Sequence, residues 1–239
     1  MTAGNVLTSP IQLTLPIQQA DDLTLQNFCG ENNPMLLDSL LHALQKPRQS
    51  FFYVYGEKGC GKSHLLKACC HLLFDRGGHA SFIPLEQASL FSPDVLDNLE
   101  TQDLVCIDDL QTIAGQLKWE TALFDLYNRI KEQGNTILIL SANSSPRHLP
   151  VQLNDLRSRL SWGETHKLQP LNEQQKLTAL QQRAYQRGLE LPDEVGLFLL
   201  KRLERDSKSL FDTLQKLDQA SLQAQRKLTI PFVKHSLQL

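Results

Sequence analysis

The sequence predicts an α/β fold, a five-stranded parallel sheet with flanking helices, followed by a small all-helical domain. Three observations indicate this. Apolar runs with strand character alternate with amphipathic helical segments as far as Pro170, which is typical of a parallel sheet. After Pro170 the pattern contains helices only. A glycine-rich loop joins the first predicted strand to the helix that follows it.

The chain divides into three predicted parts. Residues 1–20 contain two prolines and no Lys, Arg, Asp or Glu, and they predict a flexible tail. Residues 21–170 predict the α/β domain, and residues 171–239 predict the helical domain. Apolar side chains alternate within the tail, which indicates either a short docking peptide or an edge strand laid on the body. The residues concerned are Gln12, Leu13, Thr14, Leu15, Pro16 and Ile17.

Composition restricts the classes of protein to consider. The 239 residues carry a net charge of -2, which argues against a generally basic binder of nucleic acid or membrane surfaces. No apolar run approaches the roughly 18 residues that cross a bilayer, and no secretion signal opens the sequence. Five cysteines without a C-x-x-C pair predict reduced thiols, no zinc site and a cytoplasmic protein.

The first helix and strand lead to the glycine-rich loop. Leucines at helical spacing predict a helix over residues 34–45, with Pro34 in its first turn. Residues 51–55 are aromatic and apolar, and they predict a buried strand. Phe28 lies upstream of both, and two interpretations of its ring stay open, contact with a nucleotide base or packing in the core.

The loop itself is the most specific motif of the chain. Residues 56–63 read Gly-Glu-Lys-Gly-Cys-Gly-Lys-Ser, and a predicted helix begins directly after them. Glycines let backbone N–H groups turn toward phosphates, and a helix N-terminus adds partial positive charge. Lys62 should reach the terminal phosphates of a nucleotide, and Ser63 should bind Mg²⁺. The predicted nucleotide-binding residues are Gly56, Glu57, Lys58, Gly59, Cys60, Gly61, Lys62, Ser63 and His64.

Acidic and polar residues follow the next buried strands. Residues 80–85 predict the second strand, and residues 104–107 predict the third, which ends in Asp108 and Asp109. We assign Asp108 to the metal and Asp109 to the attacking water, because carboxylates at this place form the second half of a phosphate site. After a helix at 117–133 and a strand at 136–141, Asn143 is our candidate for sensing a γ-phosphate. Ser141 is the alternative candidate. Asn143 is equally compatible with the role of an ordinary turn residue that senses nothing.

Two arginines stand beside Trp162 in the segment 155–163. Arg157 and Arg159 are two residues apart and cannot share one helix face, so at most one should point at any given site. Residues 165–169 predict the last strand. The predicted helices of the C-terminal domain cover residues 172–187, 192–205, 207–226 and 230–238.

The order and spacing of these motifs resemble the DnaA-like clade of the AAA+ family. The resemblance covers the chain from about Leu23 onward. It rests on the phosphate loop, on Ile-Asp-Asp-Leu-Gln at 107–111, on Ser-Arg-Leu-Ser-Trp-Gly at 158–163 and on Leu-Pro-Asp-Glu-Val at 191–195. Within the clade the chain looks most like the regulatory inactivators of the replication initiator DnaA, because of its tail peptide and its end soon after the helical lid.

The resemblance implies roles for particular residues. Arg159 looks like the arginine finger, a cation offered across a subunit interface to a nucleotide on the neighbour. Asn143 looks like the first sensor, and Lys208 stands where the second-sensor arginine of the lid usually lies. The tail looks like a peptide that docks into the DNA polymerase sliding clamp (its beta subunit), with Gln12, Leu13, Leu15, Pro16 and Ile17 as the contact residues.

Two departures from DnaA refine what is implied. Lys208 keeps the positive charge but lacks the planar fork of arginine, which is consistent with a working form that holds ADP rather than ATP. DnaA carries a C-terminal DNA-binding domain and a basic segment that engages single-stranded DNA. Here the sequence ends at Leu239, and residues 80–117 contain no Lys or Arg. We therefore expect no direct sequence-specific DNA binding.

The implied function is regulation of DNA replication initiation. The protein would bind an adenine nucleotide and Mg²⁺, dock on the sliding clamp and stimulate hydrolysis of the ATP held by DnaA, with little or no turnover of its own. The alternative is a self-contained AAA+ ATPase, such as a helicase loader of the same clade, and a small-molecule kinase is disfavoured because no acceptor site is visible. AAA+ modules associate head to tail, so a homo-oligomer is a further option.

Overall fold

The computed structural model describes residues 23–25, 27–28, 30–45, 48–202, 207–224 and 226–238, without the side chains of residues 207–209, 211 and 212. These ranges contain five strands, β1 to β5 in chain order, at Ser50–Tyr55, Ala80–Pro84, Leu104–Asp108, Ile137–Ala142 and Glu164–Lys167. They also contain eight α-helices, α1 to α8 in chain order, at Pro34–Gln45, Lys62–Asp75, Leu117–Gln133, Asn154–Leu160, Glu173–Gln186, Asp193–Arg202, Ser207–Ala224 and Ile230–Leu237.

The five strands form one parallel sheet in the order β2-β3-β4-β1-β5, which confirms the predicted fold class. β1 lies between β4 and β5, and in its register with β4 Val54 is opposite Ser141. The carboxyl ends of β3, β4 and β1 therefore meet side by side at one edge of the sheet. Ligands bind at such edges in open parallel sheets.

Side chains alternate between the two faces of the sheet. On β1, Tyr53 enters the apolar core formed with α3 and α4, whereas Phe52 and Val54 enter the core formed with α1 and α2. Both faces are covered, which explains why the middle strands read as continuous apolar runs. Helices α5 to α8 enclose a third core of their own, which includes Leu180, Leu199, Leu214, Leu217 and Val233.

The boundaries of the elements differ from the predicted ones in ways that have local causes. The predicted fifth strand reaches residue 169, but β5 ends at Lys167 because the backbone N–H of Gln169 donates to the Asn33 side chain instead of to β1. Between β2 and β3 the chain forms 3₁₀ helices at Leu85–Leu90 and Pro93–Leu96. α4 was not predicted, because seven residues with two arginines give little apolar spacing.

The start of the helical domain is tied to the segment before α1. The Asn32 amide donates to the Pro170 carbonyl oxygen at 3.1 Å and to the Gln175 side-chain oxygen at 2.8 Å. Gln175 belongs to the capping box with which Asn172 begins α5. Among the described helices, none is both long and apolar enough to span a bilayer.

Candidate nucleotide-binding site

The phosphate loop has the backbone that its glycines predict. Gly59 and Gly61 have φ angles of 78° and 103°, in the left-handed region that side chains disfavour. A Cβ on Gly56 would lie 2.8 Å from the Leu168 carbonyl oxygen, so the loop passes too close to the chain after β5 for any side chain there. The N-cap of α2 is Gly61, which makes no side-chain capping hydrogen bond. The first-turn N–H groups that an N-cap side chain would bind are thus left to a phosphate.

Lys62 folds over this loop. Its side chain is 6% exposed, and its Nζ atom donates to the carbonyl oxygens of Gly56 at 2.9 Å and Glu57 at 3.0 Å. A buried ammonium needs such acceptors. Phosphate oxygens entering the loop could replace them, because both carbonyls belong to the loop itself.

Asp108 lies at the adjoining strand end and is buried, with 3% of its surface exposed. Burial raises the pKa of its carboxyl above the usual value, and hydrogen bonds from the hydroxyls of Ser141 and Ser63 offset part of that rise. The two residues predicted to bind the metal, Ser63 and Asp108, thus lie close together. Ser141, the alternative sensor candidate, donates its hydroxyl to Asp108 from β4.

The Ser63 hydroxyl and the Asp108 carboxyl are oxygen ligands of the kind that Mg²⁺ prefers. The described residues contain no group of three or more His, Cys, Asp or Glu side chains that could hold a metal on their own. Mg²⁺ does not need one, because it is commonly bound through one or two protein oxygens, with nucleotide phosphates and water completing its shell. One hydroxyl and one carboxyl beside a phosphate loop are such a set.

A second chain of contacts runs from Asp109 along the same edge. Asp109 has a φ of 64°, and its backbone N–H donates to the Ser141 hydroxyl at 3.0 Å. The Gln111 amide donates to the Asp109 carboxyl at 2.7 Å, and its oxygen accepts the backbone N–H of Asn143 at 3.0 Å. Gln111 was not among the predicted site residues, although it ends the Ile-Asp-Asp-Leu-Gln motif at 107–111. The Asn143 side chain is exposed and makes no hydrogen bond to other described residues.

Phe28 and His64 meet where α2 begins. Their rings are 5.4 Å apart and nearly perpendicular, and the His64 Nε2 atom lies 2.9 Å from the side-chain oxygen of Asn27. Phe28 packs, partly buried, against the core formed with α1 and α2, and its ring lies 3.2 Å from where a Cβ on Gly61 would be. Core packing, one of the two interpretations, is therefore present, and the ring also borders the phosphate loop.

A cavity of about 360 Å³ opens between the loop and the helical domain. This volume is within the usual range for small-molecule sites. Two lysines, one from each side, give it positive charge. Its lining residues are Glu57, Lys58, Gly59, Cys60, Pro170, Leu171 and Lys176. We call this cavity, together with Lys62, Ser63, Asp108 and Ser141, the phosphate edge.

The two arginines of α4 point to different surroundings, as their spacing predicts. Arg157 is exposed, donates to the Val151 carbonyl oxygen and lines a cavity of about 510 Å³ with Arg147, Asn154, Ser158, Ser161 and Trp162. Arg159 is half-buried, and its Cζ atom lies 4.1 Å from the centre of the Trp162 ring. The ion pairs between described residues include none of these three arginines. We call the surface of Arg147, Arg157, Arg159 and Trp162 the finger face.

Two sets of predicted residues lie outside what the structure describes. Lys208 is on α7, but its side chain is not among the described ones. The tail residues Gln12, Leu13, Leu15, Pro16 and Ile17 lie in the undescribed range 1–22. Their predicted roles therefore stay predictions.

Comparison with known proteins identifies the relatives of this chain. Residues 20–167 match the family of the bacterial DnaA ATPase domain, and residues 173–237 match the lid domain of Hda. An uncharacterized protein of Haemophilus influenzae is 53% identical over 228 residues, which are 95% of this chain and 99% of the relative.

Solved structures share the fold. Domain III of the Thermotoga maritima replication initiation protein DnaA has a TM-score of 0.74 at 22% identity, covering 91% of this chain and 96% of that one. AMPPCP-bound DnaA from Aquifex aeolicus has a TM-score of 0.65 at 23% identity, over 82% of this chain and 64% of that one. The Holliday junction branch migration motor RuvB of Thermotoga maritima has a TM-score of 0.67 at 15% identity, covering 90% of this chain and 71% of that one. The chain therefore belongs to the DnaA-related AAA+ family, as an Hda-like member that combines a DnaA ATPase domain with the Hda lid.

Proposed function

We propose that this protein regulates the initiation of DNA replication by completing the ATPase site of DnaA from outside. In this proposal an adenine nucleotide at the phosphate edge holds the ATPase domain and the lid together. The tail docks on the sliding clamp, and Arg159 reaches the ATP of a neighbouring DnaA molecule. Hydrolysis of that ATP switches the initiator off.

The observation that carries the proposal is the state of Arg159. Its guanidinium is half-buried on an aromatic surface, and the ion pairs between described residues leave it without a carboxylate. A cation held in this way keeps its charge for an external anion, such as the γ-phosphate of a bound nucleotide. An arginine finger supplied in trans is worth about 10³–10⁵ in hydrolysis rate.

The phosphate edge supports a nucleotide of the protein's own. Lys62 and the first turn of α2 would take the phosphates, and the cavity between the loop and Lys176 would hold the rest. Mg²⁺ would sit on Ser63 and Asp108 and neutralise phosphate charge there. We propose ADP as the working form, because lysine in place of arginine at Lys208 removes the bidentate grip on a γ-phosphate. Asn143 would be the first sensor and Asp109 the residue nearest the attacking water.

The clamp would supply proximity. A peptide of Gln12 to Ile17 docked on the clamp would raise the effective concentration of Arg159 near DnaA on the same DNA, so direct contact between the two proteins need not be strong. Changing Gln12 and Leu15 to Ala should abolish pull-down by the clamp and leave nucleotide binding intact. Retained pull-down would remove the tail from this role.

A second candidate function has an observation in its favour. Ser63 and Ser141 both interact with Asp108, and Asp109 follows it in the chain, so the groups that a self-contained ATPase needs lie together. In that case a head-to-tail homo-oligomer would supply Arg159 to the chain's own nucleotide. DnaA-directed regulation would take place in the cytoplasm, without sequence-specific DNA contacts by this chain.

Steady-state ATP hydrolysis separates the two functions. The protein is assayed alone, with DnaA, and with DnaA plus clamp loaded on DNA. We expect little hydrolysis from the protein alone and a large increase when all components are present. High turnover by the protein alone, unchanged by DnaA and the clamp, would refute the regulatory function and support the self-contained ATPase.

A further inference from the structure

The Arg159 guanidinium is held by aromatic rings from two elements. Its Cζ atom lies 4.1 Å from the centre of the Trp162 ring and 5.9 Å from the centres of the Phe124 and Tyr127 rings of α3. Distances within about 6 Å are those of cation–π contacts. The nearest of the three rings is therefore the one that follows Arg159 by only three residues.

The position of Trp162 is fixed from several sides. Its backbone N–H donates to the Arg159 carbonyl oxygen at 2.9 Å, and its ring meets the Tyr127 ring edge-on at 6.4 Å. Tyr127 is stacked in turn on Phe51 of β1 at 4.1 Å. Gly163 has a φ of 79°, and a Cβ there would lie 2.3 Å from the Phe51 carbonyl oxygen. The chain thus turns tightly against the sheet directly after the indole.

This kind of support leaves the hydrogen-bonding groups of Arg159 free. A carboxylate would bind the edge of the guanidinium, where its N–H donors lie and where a phosphate must also bind. An aromatic ring contacts the face of the guanidinium instead and uses none of those donors. A finger that must be immobile yet unoccupied is better held by a ring than by an acid.

We propose that Trp162 is a positioning residue for Arg159, which fixes the guanidinium for transfer to the partner's nucleotide without occupying its donors. This inference rests on the proposed function of Arg159. Lys131 also lies over the Trp162 ring, with its Nζ atom 4.5 Å from the centre, and it serves as a comparison. Tyr127 provides a second comparison. Its buried hydroxyl has no hydrogen-bond partner among the described residues, so only its ring can support Trp162 and Arg159.

The first arm of the test measures DnaA-stimulated hydrolysis at saturating protein. The Trp162→Leu variant keeps apolar bulk but loses the ring. It should lower the maximal rate by about three-fold to thirty-fold, the range of one cation–π contact. Trp162→Phe should stay within about three-fold of the wild type, because a benzene ring remains. The protein concentration for half-maximal stimulation should not change in either variant, and Lys131→Met and Tyr127→Phe should behave as the wild type.

The second arm observes the stack without any activity. The chain has two tryptophans, so Trp119→Phe leaves Trp162 as the only indole. In that background Arg159→Met should shift the emission of Trp162, and Arg157→Met should shift it less. If Arg159→Met leaves the emission unchanged, the ring and the cation are not in contact in solution and the proposal falls. This arm also stands if Trp162→Leu fails to fold.

The outcomes distinguish this inference from the proposed function. If Arg159→Ala leaves stimulation intact, the function proposed for Arg159 is wrong, whatever the fluorescence shows. If Arg159→Ala abolishes stimulation and Trp162→Leu keeps the full maximal rate, only the positioning role is refuted. A raised half-maximal concentration with a full maximal rate would make Trp162 a docking contact, which also refutes it.

Discussion

The phosphate edge and the finger face surround their positive side chains with different groups. At the phosphate edge, the ammonium of Lys62 is buried and binds two carbonyl oxygens of its own loop. At the finger face, the guanidinium of Arg159 lies on aromatic rings, and the described ion pairs give it no acid. The first region supplies acceptors that a ligand from solution can replace. In the second region the described ion pairs include no partner for Arg159, which leaves its guanidinium available to another molecule.

The difference between the two regions indicates a different role for each. Asp108 interacts with the hydroxyls of both Ser141 and Ser63, as suits a site that retains a nucleotide. Arg147 and Arg157 line one cavity beside Trp162, Arg159 lies over the same ring, and the ion pairs between described residues include none of the three arginines. We therefore regard the phosphate edge as the part that holds a nucleotide and the finger face as the part that acts.

Removing the Arg159 side chain should have the largest effect. Arg159→Ala should lower DnaA-stimulated hydrolysis by about 10³–10⁵, the usual contribution of a finger supplied in trans. Affinity for nucleotide, measured by calorimetry, should not change, because Arg159 does not line the phosphate edge. Arg157→Ala removes an arginine two residues away and should keep most of the stimulation. Equal losses in the two variants would mean that general charge, rather than a finger, drives the effect.

Removing the Lys62 ammonium should lower nucleotide affinity, which Arg159→Ala leaves unchanged. Lys62→Ala should weaken nucleotide binding by about 2–5 kcal/mol, the cost of losing one partner of a buried charged contact. Lys67 of α2 is exposed and does not line the cavity, so it provides the control, and Lys67→Ala should lose far less. Binding of a fluorescent ADP analogue measures both. Unchanged affinity in Lys62→Ala would show that the loop does not hold the phosphates.

Glu120 tests whether the finger face depends on a buried support. Its carboxyl is fully buried and accepts backbone N–H groups of Gly115 at 2.6 Å, Gln152 at 2.9 Å and Leu153 at 2.7 Å, the last two just before α4. Glu120→Gln places an amide N–H₂ against these donors and should cost about 2–3 kcal/mol of unfolding free energy. DnaA stimulation should fall, while nucleotide affinity stays unchanged.

The matched control lies on the same helix. Glu132 is exposed near the end of α3, and Glu132→Gln should leave both stability and stimulation unchanged. Urea unfolding and the hydrolysis assay are sufficient for both variants. A loss of nucleotide affinity in Glu120→Gln, equal to its loss of stimulation, would contradict the independence of the two regions.

The smallest effect concerns an ion pair that includes no residue of either region, Glu100 with Arg129. Burial raises the pKa of Glu100, but the hydrogen bond and charge of Arg129, whose Nε atom lies 2.9 Å away, outweigh it and keep the pKa below its usual value. A carboxyl with a lowered native pKa contributes stability above its unfolded pKa and loses it as the pH falls through the native one. Arg129→Met should cost about 1–2 kcal/mol at neutral pH.

That difference should shrink as the pH falls. Unfolding followed at neutral pH and at successively more acidic values gives the measurement, with the wild type beside Arg129→Met. A difference that stays constant into acid would assign the stability to packing of the Arg129 side chain rather than to its charge. Nucleotide binding and stimulation should be unaffected at neutral pH.

Much of this arrangement could be predicted from the sequence because it is local. Glycine, lysine and serine at fixed spacing between a strand and a helix predicted the loop, and Asp108 was assigned because it ends a buried strand. The parallel sheet brings such strand ends to one edge, so local patterns were sufficient to place Ser63 near Asp108. The alternation of strands and helices similarly predicted the fold class.

The remainder depends on contacts between distant segments. That the Ser141 hydroxyl joins Asp108 and the Asp109 backbone follows from how β3 lies beside β4, which no spacing within one strand reveals. The link through Gln111 and the support of Arg159 by rings of α3 are of the same kind. Glu120 gave no signal, because an acid on an amphipathic helix is usually exposed.

The most direct test asks which nucleotide is hydrolysed. In a first reaction DnaA is loaded with labelled ATP and this protein with unlabelled ADP; in a second reaction only this protein carries labelled ATP. Each mixture receives clamp-loaded DNA and is stopped within one turnover. We expect the label on DnaA to become ADP in the first reaction and the label on this protein to stay ATP in the second. Conversion of the label in the second reaction, without conversion in the first, would contradict this result.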